Sequence, residues 1–211
     1  MNVEAVMRLA PVIPVLVIED AARAAPVGRA LVAGGLRALE VTLRTPAALD
    51  VIREMSRIEG AVVGAGTVLN PRDLDAAVEA GARFIVSPGL TEPLARAARA
   101  AGIAFLPGVA TAGDIMRGLD LGLTRFKFFP AETAGGVAAL NSLSAPFGAV
   151  RFCPTGGVTL ATAPAWLALP CVLCVGGSWL TADPDAVEAA ARAAAALRGA
   201  PPSPSWGGTI A

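Results

Sequence analysis

Short apolar runs alternate with longer alanine-rich runs along most of the chain. The apolar runs have the length of buried strands, and the alanine-rich runs, such as residues 47–58, carry large apolar side chains at helical spacing. The alternation occurs eight times, and the predicted strands are PVIPVLVI from Pro11, ALEVTLR from Ala38, AVVGAGT from Ala61, FIVSPG from Phe84, AFLPGV from Ala104, RFKFFP from Arg125, VRFCPTGG from Val150 and CVLCVGGS from Cys171.

The number of repeats predicts an α/β fold of the parallel (β/α)8 TIM-barrel type, because eight strand-helix units in about 200 residues are its count and minimum length. A doubly wound open sheet is the alternative. A barrel carries its site at the carboxyl ends of the strands, and several predicted strands end in a polar residue: Arg44, Thr67, Ser87, Thr155 and Ser178. We therefore predict one barrel domain over residues 1–198 and a flexible Pro/Gly/Ser-rich tail over 199–211.

Charge and composition narrow the function classes. The 17 basic and 17 acidic residues cancel, so no global basic field attracts nucleic acid or an anionic membrane. The mean hydropathy of +0.62 raises the question of a membrane span, but the uncharged run over 152–182 is broken by prolines and paired glycines. The apolar run from Pro11 is short for a signal peptide and contains two prolines. We expect a cytoplasmic protein that acts on a small molecule.

Histidine and tyrosine are absent, which excludes a Ser-His-Asp triad, a Cys-His pair and a histidine-based metal site. Cys171 and Cys174 form a C-x-x-C motif, but it lies within an apolar run. A redox motif would open a helix in electropositive surroundings, so we interpret these cysteines and Cys153 as buried apolar residues. Acid-base chemistry must then use carboxylates, lysine, hydroxyls, thiols or water.

The second predicted strand contains three polar residues on one face. Side chains alternate along a strand, so Glu40, Thr42 and Arg44 face the barrel interior while Val41 and Leu43 face the helices. Polar groups in a core form either a paired network or an active site. A structural Glu-Arg pair and a functional one both fit this pattern.

Lys127 is the only lysine among the 17 basic residues, and it lies between phenylalanines. Alternation turns Phe126 and Phe128 outward and Lys127 inward, towards Glu40. Arginine would neutralise Glu40 better than lysine does, so the retained amine indicates nucleophilic chemistry. An unprotonated lysine forms a Schiff base with a carbonyl compound, and Glu40 can then transfer protons. Simple charge balance with Glu40 is the alternative.

Two glycine pairs end the last two predicted strands, in TGG at 155–157 and GGS at 176–178. Backbone N–H groups at such positions bind phosphate in many barrels. Tight turns alone would also explain the glycines. The recurrence on adjacent strands favours a phosphorylated substrate.

The combined motifs resemble one family. EVTLRT, GAGTVLNP, SPGLTEP, FKFFPAE, RFCPTGG and CVGGSWL occur in the order and spacing of the 2-keto-3-deoxy-6-phosphogluconate (KDPG) aldolases, also called 4-hydroxy-2-oxoglutarate (KHG) aldolases. The resemblance extends from about Val6 to Arg198. The Thr-Leu-Arg of EVTLR and the threonine before the glycine pair favour this branch over the related phosphogalactonate aldolases.

The resemblance implies a class I aldolase without metal or cofactor that assembles as a homotrimer. By position, Lys127 would be the Schiff-base lysine and Glu40 the general acid/base. Three residues would hold or border the pyruvyl group and four would receive the distal phosphate: Arg44, Thr67 and Pro88 in the first set, and Thr155, Gly156, Gly157 and Ser178 in the second. Two rivals remain, namely the same chemistry on unphosphorylated KHG and a silent phosphate-binding barrel.

Overall fold

The computed structural model describes residues 1–183 and 185–197, so the tail predicted from residue 199 lies outside the described residues. The strands follow the predicted apolar runs: β1 (Val12–Leu16), β2 (Ala38–Thr42), β3 (Val62–Gly66), β4 (Phe84–Val86), β5 (Ala104–Leu106), β6 (Gly108–Val109), β7 (Arg125–Phe128), β8 (Arg151–Pro154) and β9 (Val175–Gly177).

The strands pair in parallel throughout the described residues and form two sheets. The larger sheet has six strands in the order β5-β4-β3-β2-β1-β9, and the smaller has the order β6-β7-β8. The parallel α/β class is thereby confirmed. The continuous eight-stranded ladder that we predicted is interrupted at two places. The fifth predicted strand is split into β5 and β6 at Pro107, which lacks an N–H group, and only isolated bridges connect the β8 and β9 segments.

Helices connect the strands and cover one face of the sheets. They are α1 (Val3–Met7), α2 (Ala24–Ala33), α3 (Ala48–Ser56), α4 (Pro71–Glu79), α5 (Glu92–Ala100), α6 (Ala112–Asp120), α7 (Gly136–Ser144), α8 (Ala163–Leu167) and α9 (Val187–Ala195), with short 3-10 helices at Ala21–Arg23 and Trp179–Thr181. Within residues 1–183 and 185–197, none of these helices combines the length and apolar character that a membrane span requires.

Alternation along the strands divides the buried residues into two layers. In β3, Val63 and Ala65 join the apolar layer beneath the helices, whereas Val62 joins a second cluster on the concave side. We call this second group the inner cluster; it consists of Val6, Met7, Ile13, Ala38, Val62, Phe84, Val86, Ala104, Leu106, Cys153 and Cys174. The inner cluster fills the interior below the carboxyl ends of the strands.

Helix α1 closes the amino-terminal end of this interior. Its Val6 and Met7 belong to the inner cluster, and its Glu4 accepts hydrogen bonds from Arg125 at the start of β7, at 2.6 Å from Nη2 and 3.0 Å from Nε. The hydrogen bonds from Arg8 and Arg125 hold the pKa of Glu4 below its usual value. The interior is therefore accessible from the carboxyl ends of the strands rather than from this end.

Candidate active site

A cavity of about 210 Å³ lies at the carboxyl ends of the strands, where the barrel prediction places the site. It is lined by Val15, Val17, Arg44, Lys127, Phe129, Thr155, Gly156, Gly157, Val158, Gly176 and Ser178. A larger depression of about 550 Å³ lies on the outside, between α2 and α3. This depression indicates no active site, because its charged residues are arginines and glutamates at the surface.

Lys127 and Glu40 form a buried ion pair at the base of the cavity. Strand β7 turns Phe126 and Phe128 into the helix-facing layer, and the alternate side chain of Lys127 consequently faces inward. Its Nζ lies 3.2 Å from Oε1 of Glu40, and the two residues are only 5% and 3% exposed. Lys127 lines the cavity, whereas Glu40 lies behind it. The predicted juxtaposition of these two residues is confirmed.

The surroundings of the lysine are largely apolar. Its Nζ lies 5.3 Å from the ring centroid of Phe129, a cation–π distance. Below the pair lie Cys153 and Cys174 of the inner cluster. Burial raises the pKa of the Cys174 thiol well above its ordinary value, and the neighbouring Cys153 and the Glu40 carboxylate add to this effect. The floor of the site is thus neutral and apolar.

Arg44 lies at the mouth of the cavity rather than in the interior. Strand β2 ends at Thr42, so the exposed Arg44 belongs to the turn that follows and not to the strand that we predicted. Its Nε donates a hydrogen bond of 3.1 Å to Oγ1 of Thr67. Thr67 has φ +57°, a left-handed conformation that few non-glycine residues adopt. This strained backbone aims the hydroxyl at the guanidinium.

The opposite end of the cavity is formed by the glycine-rich segment after β8. Gly156 and Gly157 have φ of +102° and +82°. The carbonyl groups of Thr155 and Gly156 accept hydrogen bonds from the backbone of Ala131 and Glu132, at 2.8 and 3.0 Å. The segment is therefore anchored to the loop after β7, and Ser178 adds an exposed hydroxyl beside it.

The cavity contains six of the site residues predicted from the sequence: Lys127, Arg44, Thr155, Gly156, Gly157 and Ser178. Glu40 and Thr67 are in contact with members of this group. Pro88 is half-buried in the loop after β4 and is not among the residues that line the cavity.

Four lining residues were missed by the sequence reasoning: Val15, Val17, Phe129 and Val158. Gly176 also lines the cavity and belongs to the GGS segment that we predicted to bind phosphate. Alternation along β1 could have identified Val15, since the next residue, Leu16, faces the helices and Ile13, two positions before Val15, belongs to the inner cluster. Phe129 lies beyond the end of β7, where alternation no longer predicts its direction.

Arg44 and Lys127 are the charged residues of the cavity lining. Lys127 lies at the base of the cavity and Arg44 at its mouth beside Thr67, whereas the glycine-rich segment after β8 offers backbone N–H groups and the Ser178 hydroxyl. Within the described part of the chain, no cluster of three His, Cys, Asp or Glu residues could hold a metal ion. The arrangement can form an imine at Lys127, transfer protons through Glu40 and bind a carboxylate at Arg44.

Comparisons with known proteins give matches over most of the chain. The sequence profile of the KDPG and KHG aldolases matches residues 3–194. The 2-dehydro-3-deoxy-phosphogluconate aldolase of Zymomonas mobilis is 60% identical over 194 residues, which cover 91% of this chain and 93% of that protein.

Two solved structures are similar throughout. A crystal structure of a KDPG aldolase from Zymomonas mobilis has a TM-score of 0.93 at 58% identity, covering 95% of this chain and 99% of that one. A KDPG aldolase from Legionella pneumophila, with pyruvate captured as a covalent carbinolamine intermediate, has a TM-score of 0.88 at 40% identity and covers 94% of this chain and 99% of that one.

Proposed function

Because the chain belongs to the KDPG and KHG aldolase family, we propose that it is a class I aldolase that cleaves KDPG to pyruvate and D-glyceraldehyde 3-phosphate. The observation that carries this proposal is the buried amine of Lys127, 3.2 Å from the carboxylate of Glu40 at the base of an open cavity. The covalent carbinolamine captured in the Legionella relative supports the same chemistry.

Lys127 is the proposed nucleophile. Its unprotonated amine adds to the 2-keto carbon to give a carbinolamine, which loses water and becomes an iminium ion. The positive iminium nitrogen accepts the electron pair of the breaking bond between carbons 3 and 4. The inner cluster provides apolar surroundings below Lys127.

Glu40 is the proposed proton carrier. It takes the proton of the 4-hydroxyl group, directly or through a water molecule, as the carbon–carbon bond breaks and glyceraldehyde 3-phosphate leaves. The remaining enamine is protonated at carbon 3, and water then hydrolyses the iminium to pyruvate and regenerates the amine of Lys127. A water-mediated path fits the position of Glu40 behind Lys127.

Arg44 is the proposed site for the pyruvyl carboxylate. Among the described residues it donates only Nε, to Thr67, which leaves its two Nη groups available for a bidentate contact with a carboxylate. Such a contact directs the keto carbon towards Lys127, which lines the same cavity. The half-buried Pro88 is proposed only to border this end from outside the lining.

The distal phosphate is proposed to lie at the glycine-rich end, between Thr155, Gly156, Gly157 and Ser178. The positive φ angles of the two glycines allow the backbone to turn towards an anion. None of these four residues has a charged side chain, so a substrate without phosphate leaves no charged side chain among them unpaired. This observation favours KHG, cleaved to pyruvate and glyoxylate, as a second substrate.

We also propose that the two sheets together form one (β/α)8 barrel. Only Pro107 separates β5 from β6, and an isolated parallel bridge between Thr155 and Gly176 joins the end of β8 to β9. A cytoplasmic homotrimer is proposed from the family resemblance. Light scattering on the purified chain tests the trimer, and a monomer would refute it.

The function is tested by turnover of KDPG and KHG by purified protein in the presence of a chelator. Pyruvate release from KDPG is expected, and its absence from both substrates would favour a silent phosphate-binding barrel. Borohydride added with pyruvate should reduce the imine to one stable adduct, which peptide mapping should place on Lys127 and not on the N-terminal amine.

Lys127→Arg is the matched variant for that experiment. It keeps the positive charge and much of the side-chain length but cannot form the imine. It should fold, give no adduct and lose activity. An active Lys127→Arg protein, or wild type that turns over KDPG without an adduct, would show that Lys127 only balances the charge of Glu40.

A further inference from the structure

Strand β3 turns two glycines towards the interior, on the same face as Val62. Gly64 and Gly66 lie in the middle and at the end of a fully buried strand. Glycine weakens a strand, and within one it often marks a place where another group approaches closely. Each of the two glycines has such a neighbour, which is a carboxylate for Gly66 and an aromatic ring for Gly64.

The neighbour of Gly66 is the carboxylate of Glu40. A methyl group built on Gly66 would lie 2.7 Å from Cγ and 2.9 Å from Cδ of Glu40, and closer still to Oε1. Ordinary contacts of a methyl group lie at 3.4–4 Å. The same Oε1 is the atom that lies 3.2 Å from Nζ of Lys127, so the carboxylate fills the space between the glycine and the amine.

We propose that Gly66 is a positioning residue for Glu40: the missing side chain leaves the volume in which the carboxylate meets Lys127. The inference rests on the proposed role of Glu40 in proton transfer. A side chain at position 66 would push the carboxylate away by about 1 Å, and a displacement of that size can cost about 10²-fold in rate.

Gly64 provides the matched comparison. A methyl group there would lie 2.5 Å from three ring carbons of Phe84, a residue of the inner cluster. A methyl on Gly64 therefore disturbs apolar packing on the same face of the same strand. Gly64 is paired with Glu40 across β2 and β3, but the three atoms nearest to its methyl belong to Phe84 and none to Glu40.

The test compares two half-reactions of Gly66→Ala with those of wild type. Borohydride trapping with pyruvate reports imine formation at Lys127. Exchange of the pyruvate methyl protons for deuterium, followed by NMR in D₂O, reports proton transfer between the imine and the enamine. Gly66→Ala should keep trapping near the wild-type level while exchange and kcat for KDPG fall about 10²-fold. Gly64→Ala should lose stability and keep the wild-type ratio of exchange to trapping.

A double-mutant cycle with Glu40 gives the decisive comparison. In a Glu40→Gln background the proton carrier is already lost, so adding Gly66→Ala should reduce exchange by less than about threefold. In a Glu40→Asp background the shorter side chain leaves room for the methyl. The pair Gly66→Ala/Glu40→Asp should therefore be more stable to urea than the two single changes predict when added.

The results separate the inference from the function on which it depends. Wild type without turnover, adduct or exchange would reject the aldolase proposal itself. If the wild type is active, three results would overturn the role of Gly66. The first is unchanged exchange in Gly66→Ala, and the second is a loss of exchange on adding Gly66→Ala to Glu40→Gln that equals its loss in wild type. The third is a fall in the ratio of exchange to trapping in Gly64→Ala that equals the fall in Gly66→Ala. If Gly66→Ala does not fold, recovery of folding by Glu40→Asp supports the role, and failure to recover overturns it.

Discussion

Removing the charge of Lys127 should destabilise the protein through Glu40. Lys127→Met keeps an unbranched side chain of similar length but leaves the Glu40 carboxylate without its cation. Glu40 is only 3% exposed, so water cannot replace the lost partner without opening the interior. The change therefore converts a buried ion pair into a buried single charge.

The expected magnitude follows from this burial. Breaking a buried pair by removing one partner costs about 3–5 kcal/mol in the free energy of unfolding. For a domain of this size, 1 kcal/mol lowers Tm by about 2–4 °C, so Tm should fall by about 6–20 °C. The double variant Lys127→Met/Glu40→Met carries neither charge and should recover most of the loss, because apolar replacement of a whole pair is often neutral.

Urea unfolding of all variants at one protein concentration measures the differences between these free energies, because the stability of an assembly depends on concentration. Arg96→Met is the matched surface variant, since its pair with Glu92 is 73% and 59% exposed. It should cost about 0–1 kcal/mol. If Lys127→Met cost no more than Arg96→Met, or if the double variant were no more stable than Lys127→Met, the pair would not be the buried, mutually dependent unit described above.

Three further predictions concern other parts of the molecule. Glu40→Gln should keep the fold and the borohydride adduct but lose about 10²–10⁴-fold in kcat, and near-normal turnover would remove Glu40 from the mechanism. Ser178→Asp should raise KM for KDPG by a factor at least about tenfold larger than the factor for KHG, because it places a like charge beside the phosphate. Equal effects on the KM values of the two substrates would place the phosphate elsewhere. Glu4 has a folded pKa below its unfolded value of 4.5, so its contribution to stability is present above that pH and is lost as pH falls through the folded pKa. The difference in unfolding free energy between wild type and Glu4→Gln should therefore vanish in acid, and a difference independent of pH would contradict the pairing of Glu4 with Arg8 and Arg125.

Hydrophobic periodicity predicted the strands well where both faces are buried. The run from Ala61 became β3 almost unchanged, because each of its residues has an apolar layer to join. The run from Cys171, in contrast, did not become a single strand. A turn in which Val172 donates to the Leu169 carbonyl takes up its first residues, and β9 begins only at Val175. Turns of this kind depend on the preceding helix, and a local apolar pattern does not contain that information.

The same limit applies to the site. Lys127 and Glu40 were predictable as neighbours, because alternation within two strands turns both inward. Arg44 was expected on that same face, but β2 ends before it and the side chain reaches the cavity from a turn. Phe129 and Pro88 lie in loops, where direction depends on contacts distant in sequence. Residues within strands were therefore predicted more accurately than residues just beyond them.

The thiols of Cys153 and Cys174 in the inner cluster can be used to detect local opening of the protein interior. Cys153 and Cys174 are buried near the Lys127–Glu40 pair, and burial keeps the Cys174 thiol protonated and unreactive. An alkylating reagent can label them only when the interior opens, whereas the half-buried Cys171 is accessible sooner. The labelling rate of Cys174 in native buffer would thus measure how often the interior below the cavity opens by local unfolding. Comparing that rate with and without pyruvate would show whether bound substrate closes the interior.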